Sequence, residues 1–218
     1  LICGSLAFDT IMVFPDQFKN HILPDKVHIL NVSFLVPRMR REFGGCAGNI
    51  AYNLHLLGGQ PIPMGTVGSD FGPYREYFEG LGIDLSRVRV IDELFTPQAF
   101  ITTDHDNNQI TAFHPGAMMR SYENHVRGVP GVTLGLVGPD GREGMIQNAQ
   151  EFHEDGIPFI FDPGQAMPLF NGPELRAFID QADYVVVNDY ESNLLQERTG
   201  WDEKEIVSRV KAYITTRG

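Results

Sequence analysis

The chain has 218 residues, of which 42% are hydrophobic and 21% are charged, a composition typical of a globular protein that buries a substantial core. Its formal net charge of −11 argues against nucleic acid and acidic membrane surfaces as partners, because such polyanions are bound by basic patches. Two cysteines exclude a disulfide framework, and the sequence has neither a signal-peptide pattern nor an apolar run of about 20 residues that would span a bilayer, so we expect a cytoplasmic protein.

The first predicted elements are two strands and a helix that follows a glycine pair. The apolar run at 1–8 predicts a strand that ends at Asp9, and residues 32–36 predict a second strand. After the glycine pair at 44–45, a helix is predicted over 49–57.

The middle of the chain predicts a strand, a helix and a hairpin. The strand lies at 61–68 and the helix at 70–81, and the two alternating strands of the hairpin turn at the polar residues 104–108. This hairpin interrupts the alternation of strands and helices. Together with residues 27–36, the segment 97–114 is therefore predicted to form a smaller β layer outside the main sheet.

The second half alternates regularly between strands and helices. The predicted strands lie at 131–138, 157–164 and 183–191, with helices at 142–155 and 173–181. Such alternation is typical of a mostly parallel sheet with helices on both faces, joined by right-handed crossovers. The final amphipathic helix is followed by "AYITT" at 212–216, which is typical of the beginning of a strand, so we expect the sequence to be a fragment.

Three residues near the first strand and the glycine pair suggest a site for a polyol. Asp9, Gly45 and Asn49 are predicted to lie at strand ends or at a helix start, where open α/β sheets bind ligands. A carboxylate accepts hydrogen bonds from two neighbouring hydroxyls, an amide both donates and accepts, and glycine permits a close backbone approach. Taken singly, each residue is more typical of a loop acid, a turn or a helix cap.

Asn188 and Glu191 allow two interpretations. Their spacing places them on one face at a helix start, where they match a capping box. The alternative is that they organise hydrated Mg²⁺ and nucleotide phosphates.

Several common nucleotide-binding signatures are missing from the sequence. It contains no GxGxxG dinucleotide fingerprint and no GxxxxGK[ST] P-loop, and the HRD motif of protein kinases does not occur. The seven histidines are not grouped at the spacings of metal ligands. The sequence therefore argues against three protein classes: a dinucleotide-binding dehydrogenase, a P-loop NTPase and a protein kinase.

The segment "GGCAGNIAYNLHLLGGQPIPMGTVG" at 44–68 resembles the N-terminal signature of the ribokinase (PfkB) family of carbohydrate and nucleoside kinases. Further motifs follow in the family's order, namely "VGSDFG" at 67–72, "HPGA" at 114–117, "FDPGQ" at 161–165 and "NDYE" at 188–191. Among subgroups, the sequence is most similar to the bacterial and archaeal nucleoside kinases. The resemblance implies an α/β ribokinase-like fold, with a mostly parallel central sheet, helices on both faces and a small β lid.

The resemblance also assigns roles to residues at matching positions. The residues that it assigns to the substrate are Asp9, Gly45, Asn49 and Gln165. Those that it assigns to ATP are Gly116, Ala117 and Asn188, with Glu191 at the Mg²⁺. Lid segments are expected near 11–43 and 95–114.

One family signature does not occur in these 218 residues: the Gly-Ala-Gly-Asp or Gly-Cys-Gly-Asp segment at a helix N-terminus. In the family, this segment supplies an anion hole for the phosphoryl group and the Asp that accepts the hydroxyl proton. No catalytic residue is therefore assigned. We expect residues 1–218 to be the N-terminal and central part of one ribokinase-like domain, without its C-terminal ATP-site portion and without phosphoryl transfer on their own.

The resemblance implies ATP-dependent phosphorylation of the 5′-hydroxyl of a ribonucleoside, with adenosine, inosine and guanosine as candidates. A fructose or ribose kinase is the alternative within the family. A noncatalytic nucleoside-binding module is the alternative if the protein ends at residue 218, and the presence of a following Gly-x-Gly-Asp segment would discriminate between the two classes.

Apolar and aromatic residues of the lid segments are candidates for one face of a base-binding site. These residues are Phe34, Leu35, Met39, Phe100 and Phe113. The other interpretations are an ordinary core of the β layer and the interface of a homodimer formed through the lid.

Overall fold

The computed structural model describes residues 1–22, 29 and 31–217, which form a large β-sheet flanked by helices and a small β-sheet. In chain order the strands are β1 (Ile2–Cys3), β2 (Ala7–Val13), β3 (Arg38–Gly44), β4 (Pro63–Gly68), β5 (Val88–Ile91), β6 (Gln98–Thr103), β7 (Gln109–His114), β8 (Gly135–Val137), β9 (Phe159–Phe161), β10 (Tyr184–Asn188) and β11 (Ala212–Thr216). The α-helices are α1 (Cys46–Leu56), α2 (Gly72–Leu81), α3 (Arg142–Glu154), α4 (Gly172–Gln181), α5 (Asp189–Thr199) and α6 (Glu203–Val207). Among the described helices, none is long and apolar enough to cross a membrane.

The large sheet contains seven parallel strands in the order β11-β10-β9-β8-β1-β4-β5. From β1 the chain adds β4 and β5 on one side, and from β8 it adds β9, β10 and β11 on the other. Right-handed crossovers therefore place α1 and α2 on one face and α3, α4 and α5 on the opposite face. The predicted parallel sheet with helices on both faces is confirmed. Its strand order reverses between β1 and β8, and open α/β sheets bind ligands at such a reversal.

Strands β8, β9 and β10 of the large sheet bury alternate residues. Val137, Phe161 and Val185 are fully buried in the core that α3, α4 and α5 cover. Leu136 and Ile160 point to the other face and are only half-buried. The larger buried core therefore lies on the side that α3, α4 and α5 cover.

The small sheet has the order β3-β2-β6-β7, in which β2 and β6 run parallel and the other pairs antiparallel. The predicted hairpin within 97–114 forms β6 and β7, so a smaller β layer outside the main sheet is confirmed. Of the segment 27–36, which was predicted to join this layer, positions 27, 28 and 30 lie outside the described residues.

The strand predicted at 32–36 was wrong. These residues form no regular element, and the strand of this region is β3. Phe34 packs on Phe14 and Phe18 instead, with ring centroids 4.8 and 5.1 Å apart. β3 lies at an edge of the small sheet, where a charged strand tolerates exposure on both of its faces.

The apolar run at 1–8 forms two strands rather than one. The chain leaves the large sheet after β1 and enters the small sheet as β2, and between them the Ser5 amide donates to the Pro139 carbonyl over 3.0 Å. Asp9 therefore lies within β2 and not at the end of a strand, as was predicted.

The start of α1 and the strand β5 also differ from the predictions. α1 begins at Cys46 rather than at Asn49, because Gly45, with a φ of 88°, is the N-cap and Asn49 already donates an intrahelical bond of 2.9 Å to the Gly45 carbonyl. β5 was not predicted, since its four residues at the sheet edge give too short a pattern.

Candidate active site

Asp9 is placed by the glycine beside it. In the small sheet Asp9 lies between Glu42 of β3 and Ala99 of β6. A Cβ on Gly44 would lie 2.3 Å from Asp9 Oδ2, so the carboxylate occupies the space that a side chain at position 44 would take. Desolvation raises the pKa of Asp9 above its ordinary value. Among the described residues none donates a hydrogen bond to this carboxylate, which leaves its oxygens available to a ligand.

Gly45 is required by the packing of the chain on itself. A Cβ at this position would lie 2.5 Å from the Ser5 carbonyl oxygen and 2.7 Å from the Ala7 amide nitrogen. The amide of Ala47 donates to the Ser5 carbonyl over 2.9 Å, and that of Cys46 donates to Ser5 Oγ over 3.1 Å. Ser5 therefore binds the first amides of α1, and Gly45 permits this close approach.

Asn49 lies one turn into α1 and is exposed. It lines a groove of about 850 Å³ between α1 and strands β1, β8 and β9, which Leu54, Leu136 and Ile160 also line. Its backbone carbonyl accepts a 2.8 Å hydrogen bond from Asn53 Nδ2. The side chain of Asn49 is thus on the surface near the glycine pair, and not at the helix cap where it was predicted.

The register of the small sheet separates its two faces. The row that contains Asp9 continues through Ala99 to Phe113, so Asp9 and Phe113 lie on the same face. Phe100 pairs with Thr10, and its side chain therefore points to the opposite face. Phe113 and Phe100 are 52% and 40% exposed.

The five residues proposed for a base-binding surface therefore do not share one face. Met39 pairs with Met12 and lies on the same face as Phe100, away from Asp9. Phe34 belongs to the aromatic cluster with Phe14 and Phe18, and Leu35 is exposed outside any regular element. Phe113 is the one member of the set that the register places with Asp9.

Asp162 follows β9 at the carboxyl edge of the large sheet. Its amide donates to the Val137 carbonyl over 2.9 Å, which continues the pairing of β8 with β9. Burial, with a further contribution from the negative charge of Glu191, raises the pKa of Asp162 to about 6. Gln165 is exposed in the 3₁₀ helix that follows, at Gly164–Leu169.

Asn188 and Glu191 form a capping box at the start of α5. The Glu191 amide donates to Asn188 Oδ1 over 2.8 Å, and the Asn188 amide donates to Glu191 Oε2 over 2.9 Å. Asn171 and Glu174 make the same pair of bonds, of 3.0 and 2.9 Å, at the start of α4. The capping interpretation is confirmed. The other oxygen of the Glu191 carboxylate, Oε1, takes no part in the capping box. The negative charge of this carboxylate also acts on Asp162.

Gly116 and Ala117 lie against a different part of the chain. A Cβ on Gly116, which has a φ of 48°, would lie 2.2 Å from the Phe95 carbonyl oxygen. The Ala117 amide donates to the same oxygen over 2.9 Å, and its carbonyl accepts a 2.6 Å bond from Thr66 Oγ1. Both backbone groups of Ala117 are therefore already paired within the protein.

Asp140, which follows β8, was not predicted as a site residue. The residue is 3% exposed, and its Oδ1 accepts a 2.9 Å hydrogen bond from the adjacent Gly141 amide. Burial raises its pKa to about 8. The sequence signal was the turn "GPDG" directly after an apolar strand.

These carboxylates converge on the beginning of α1. Burial raises the pKa of the Cys46 thiol, and the negative charges of Asp162, Asp140 and Asp9 raise it further. Residues from the ends of β8 and β9 and from the small sheet thus lie near enough to the start of α1, at the reversal of strand order, for their charges to act on Cys46. Within the described ranges, no group of three or more His, Cys, Asp or Glu is arranged to hold a metal ion.

Known proteins share this architecture. A nucleoside kinase from Burkholderia thailandensis, in complex with inosine, has a TM-score of 0.88 and 55% sequence identity, with all of this chain and 69% of that chain covered. The same enzyme in complex with ADP-inosine has a TM-score of 0.85 and 57% sequence identity, with 100% of this chain and 68% of that chain covered. A nucleoside kinase from Methanocaldococcus jannaschii is 30% identical over 190 residues, which are 86% of this chain and 62% of the relative.

The chain spans about three fifths of the length of the curated relatives that it matches. The family model for pfkB carbohydrate kinases matches residues 10–218. The ribokinase-like fold and the resemblance that the motifs indicated are both confirmed. The chain belongs to the pfkB family of carbohydrate kinases.

Proposed function

We propose that this chain is the substrate-binding part of an ATP-dependent kinase that phosphorylates the 5′-hydroxyl of a ribonucleoside such as adenosine, inosine or guanosine. The observation that carries the proposal is the Asp9 carboxylate, held beside Gly44 on the face that also presents Phe113. Such a carboxylate accepts hydrogen bonds from two neighbouring ribose hydroxyls, and an aromatic ring on the same face offers a surface on which a base stacks.

Three other residues complete the proposed substrate site. Gly45 brings the start of α1 close to Asp9, and the Asn49 amide one turn later binds a ribose hydroxyl. Gln165 is exposed after Asp162 and offers both a donor and an acceptor to the nucleoside. A site that depends weakly on Gln165 would accept several bases.

ATP and Mg²⁺ are the co-substrate and the metal of this proposal. The donors that fit Mg²⁺ are the carboxylates of Glu191 and Asp162, because a hard cation prefers oxygen ligands and is often bound by one or two carboxylates together with phosphates. Burial is the main cause of the raised pKa of Asp162, and the added contribution of Glu191 supports this fit, since two neighbouring carboxylates repel each other until a cation lies near them. When bound, Mg²⁺ would neutralise charge on the transferring phosphoryl group.

The remaining ATP assignments rest on the motifs. Asn188 stands at the start of α5 beside Glu191, within the NDYE motif. The placement of Gly116 and Ala117 near the phosphate path is supported by the HPGA motif alone, because the Ala117 amide is bonded to Phe95. Gly116 and Ala117 would therefore contribute the backbone conformation of this turn, and not a free amide that binds phosphate.

The residues of this chain would bind and orient the nucleoside and exclude water. Phosphoryl transfer needs little covalent chemistry from the protein, so positioning and electrostatics carry the rate. The small sheet is proposed to act as the lid that covers the bound nucleoside and keeps water from competing as the acceptor. None of the 218 residues is assigned as the base, since no Gly-x-Gly-Asp segment occurs among them.

A fructose or ribose kinase is the second candidate, because Asp9 and Asn49 would bind the hydroxyls of a free sugar equally well. Phe113 favours the nucleoside, since a free sugar has no flat base to stack on it. A homodimer through the lid also stays a prediction. Its proposed surface is the face opposite Asp9, where Met39 is 69% and Ile110 43% exposed, and sedimentation at several protein concentrations tests it.

The proposed function is tested by the product. The complete protein, incubated with ATP, Mg²⁺ and inosine, should form inosine 5′-monophosphate, which mass spectrometry identifies. Asp9→Asn should weaken inosine binding by about 1.5–3 kcal/mol, the range for a hydrogen bond to a charged group, at unchanged thermal stability. Phosphorylation of free ribose or fructose in preference to every nucleoside would contradict the proposal.

A further inference from the structure

Asp70 links the large sheet to the small one. It lies in the loop between β4 and α2, and its side chain is 23% exposed. Asp70 Oδ1 accepts a 2.7 Å hydrogen bond from the Thr96 amide, and Oδ2 accepts a 3.1 Å bond from Gln98 Nε2. A guanidinium nitrogen of Arg41 lies 3.4 Å from Oδ2. One carboxylate of the large-sheet body therefore holds three donors that belong to the small sheet or its connection.

The two side-chain donors come from the strands on either side of β2. Arg41 belongs to β3 and pairs with Thr10, and Gln98 belongs to β6 and pairs with Phe8. β2 lies between β3 and β6 and carries Asp9 on its other face. The Asp70 carboxylate thus holds both neighbours of the strand that presents Asp9, from the face that Asp9 does not occupy.

Two further contacts hold this arrangement in place. The Arg41 guanidinium carbon lies 3.6 Å from the centroid of the Phe8 ring, so the arginine is fixed between that ring and Asp70. Thr96 is fully buried, and its Oγ1 accepts a 3.1 Å bond from the Gly68 amide at the end of β4. The connection into β6 is therefore bonded to the end of β4 through Thr96. Asp70 adds a bond from the same region to β3 through Arg41.

We propose that Asp70 is a positioning residue, which sets the inclination of the small sheet against the large one and thereby holds Asp9 near the start of α1 for substrate binding. The small sheet is joined to the large-sheet body by chain crossings at its base, and such a sheet can tilt unless side chains oppose the movement. Charge-assisted hydrogen bonds are the strongest contacts available for this purpose at a partly exposed position. The inference rests on the proposed function only for the identity of the ligand.

The test combines inosine binding with hydrogen exchange. Asp70→Asn keeps an acceptor for the Thr96 amide but loses the charge that attracts Arg41 and turns an amide donor toward Gln98. We expect the inosine Kd to rise about tenfold or more, the factor for one charge-assisted hydrogen bond, and amides of β3 and β6 to exchange faster. Arg75→Gln is the control, because its 3.7 Å pair with Glu79 stays within α2.

A second variant separates positioning from stability. In Asp70→Asn combined with Gln98→Glu, the amide at position 70 donates to the carboxylate at position 98, which is again available to Arg41. This double variant should therefore recover most of the inosine affinity and the slow amide exchange of β3 and β6. An unchanged Kd in Asp70→Asn, no recovery in the double variant, or faster exchange spread evenly over both sheets would each overturn the proposal.

The exchange measurement also keeps the two proposals distinguishable. If inosine binds neither the parent protein nor the variants, the nucleoside assignment fails. The role of Asp70 is then decided by exchange alone: faster exchange confined to β3 and β6 supports it, and unchanged exchange overturns it.

Discussion

The Asp9 carboxylate lies where the side chain of residue 44 would be, 2.3 Å from the position of a Cβ on Gly44. The contact is with the end of a flexible side chain, so Gly44→Ala should displace the carboxylate rather than the backbone. We expect inosine affinity to fall about tenfold while the free energy of unfolding changes by less than about 1 kcal/mol. Calorimetry and urea denaturation measure the two quantities. Unchanged affinity would show that the position of Asp9 does not matter for binding.

Gly45→Ala, one residue later, should behave differently. Its Cβ would meet backbone atoms of Ser5, Leu6 and Ala7 at 2.5–2.8 Å, and its φ of 88° is unfavourable for any other residue. We expect a loss of about 2 kcal/mol or more in the free energy of unfolding. A variant as stable as the parent protein would mean that the start of α1 moves freely, contrary to its bonds with Ser5.

Phe113 and Phe100 provide a matched pair on opposite faces of the small sheet. Phe113→Ala should weaken inosine binding by about 1 kcal/mol or more, because a stacking surface is lost, and should leave ribose binding unchanged. Phe100→Ala removes the same side chain from the face that Asp9 does not share, and should leave both affinities unchanged. Equal effects of the two variants on inosine binding would remove Phe113 from the proposed site.

Asp140 should make the stability of the fold depend on pH. Its folded pKa of about 8 lies above the ordinary value of 3.8, so the folded state binds the proton more tightly than the unfolded state. The stability contribution is complete below the ordinary pKa and is lost as the pH rises toward 8. Asp140→Asn keeps the acceptor for the Gly141 amide and should raise the free energy of unfolding at pH 8 by on the order of a few kcal/mol.

Urea denaturation of Asp140→Asn and the parent protein at several pH values checks this. The other titrating groups are present in both proteins, so the difference between the two free energies of unfolding reports on Asp140 alone. The difference should be small near pH 4 and should grow up to about pH 8. A difference that does not vary with pH would contradict the assignment of a neutral, buried Asp140.

The two capping boxes allow the second role of Glu191 to be measured. Glu191→Gln keeps the bond to the Asn188 amide, as Glu174→Gln keeps the bond to the Asn171 amide, so neither cap should be lost. Only Glu191→Gln removes a charge that raises the pKa of Asp162, which should therefore fall below about 6. Titration of the Asp162 carboxyl by NMR measures this, with Glu174→Gln as the control. An unchanged pKa would mean that the two carboxylates do not share a site.

The large sheet was predictable from the sequence because its signal is local. Apolar runs such as 157–164 and 183–191 are buried on at least one face, and each is followed by a helix of regular period. β3 was missed because its sequence, RMRREFG, is charged, and it is a strand only through pairing with β2. An edge strand of this kind forms because it pairs with a strand that is distant in sequence, and no local sequence pattern indicates that pairing.

The site was predictable in its residue types but not in its geometry. The motifs identified Asp9 and the glycine pair, yet the role of Gly44 in making room for Asp9 depends on a cross-strand contact. The capping box was recognisable from the spacing of Asn188 and Glu191, whereas the proximity of Glu191 to Asp162 required the order of β9 and β10. Asp140 was missed because its burial results from elements packed around it, and a single acid in a turn gives no sign of that.

The most direct test of the nucleoside assignment is a comparison of kcat/KM for inosine, adenosine and guanosine with that for free ribose and fructose, at one concentration of ATP and Mg²⁺. If Asp9 binds the ribose hydroxyls while Phe113 supports a base, each nucleoside should be preferred over both free sugars. A free sugar with a higher kcat/KM than every nucleoside would contradict this account and would favour a sugar kinase.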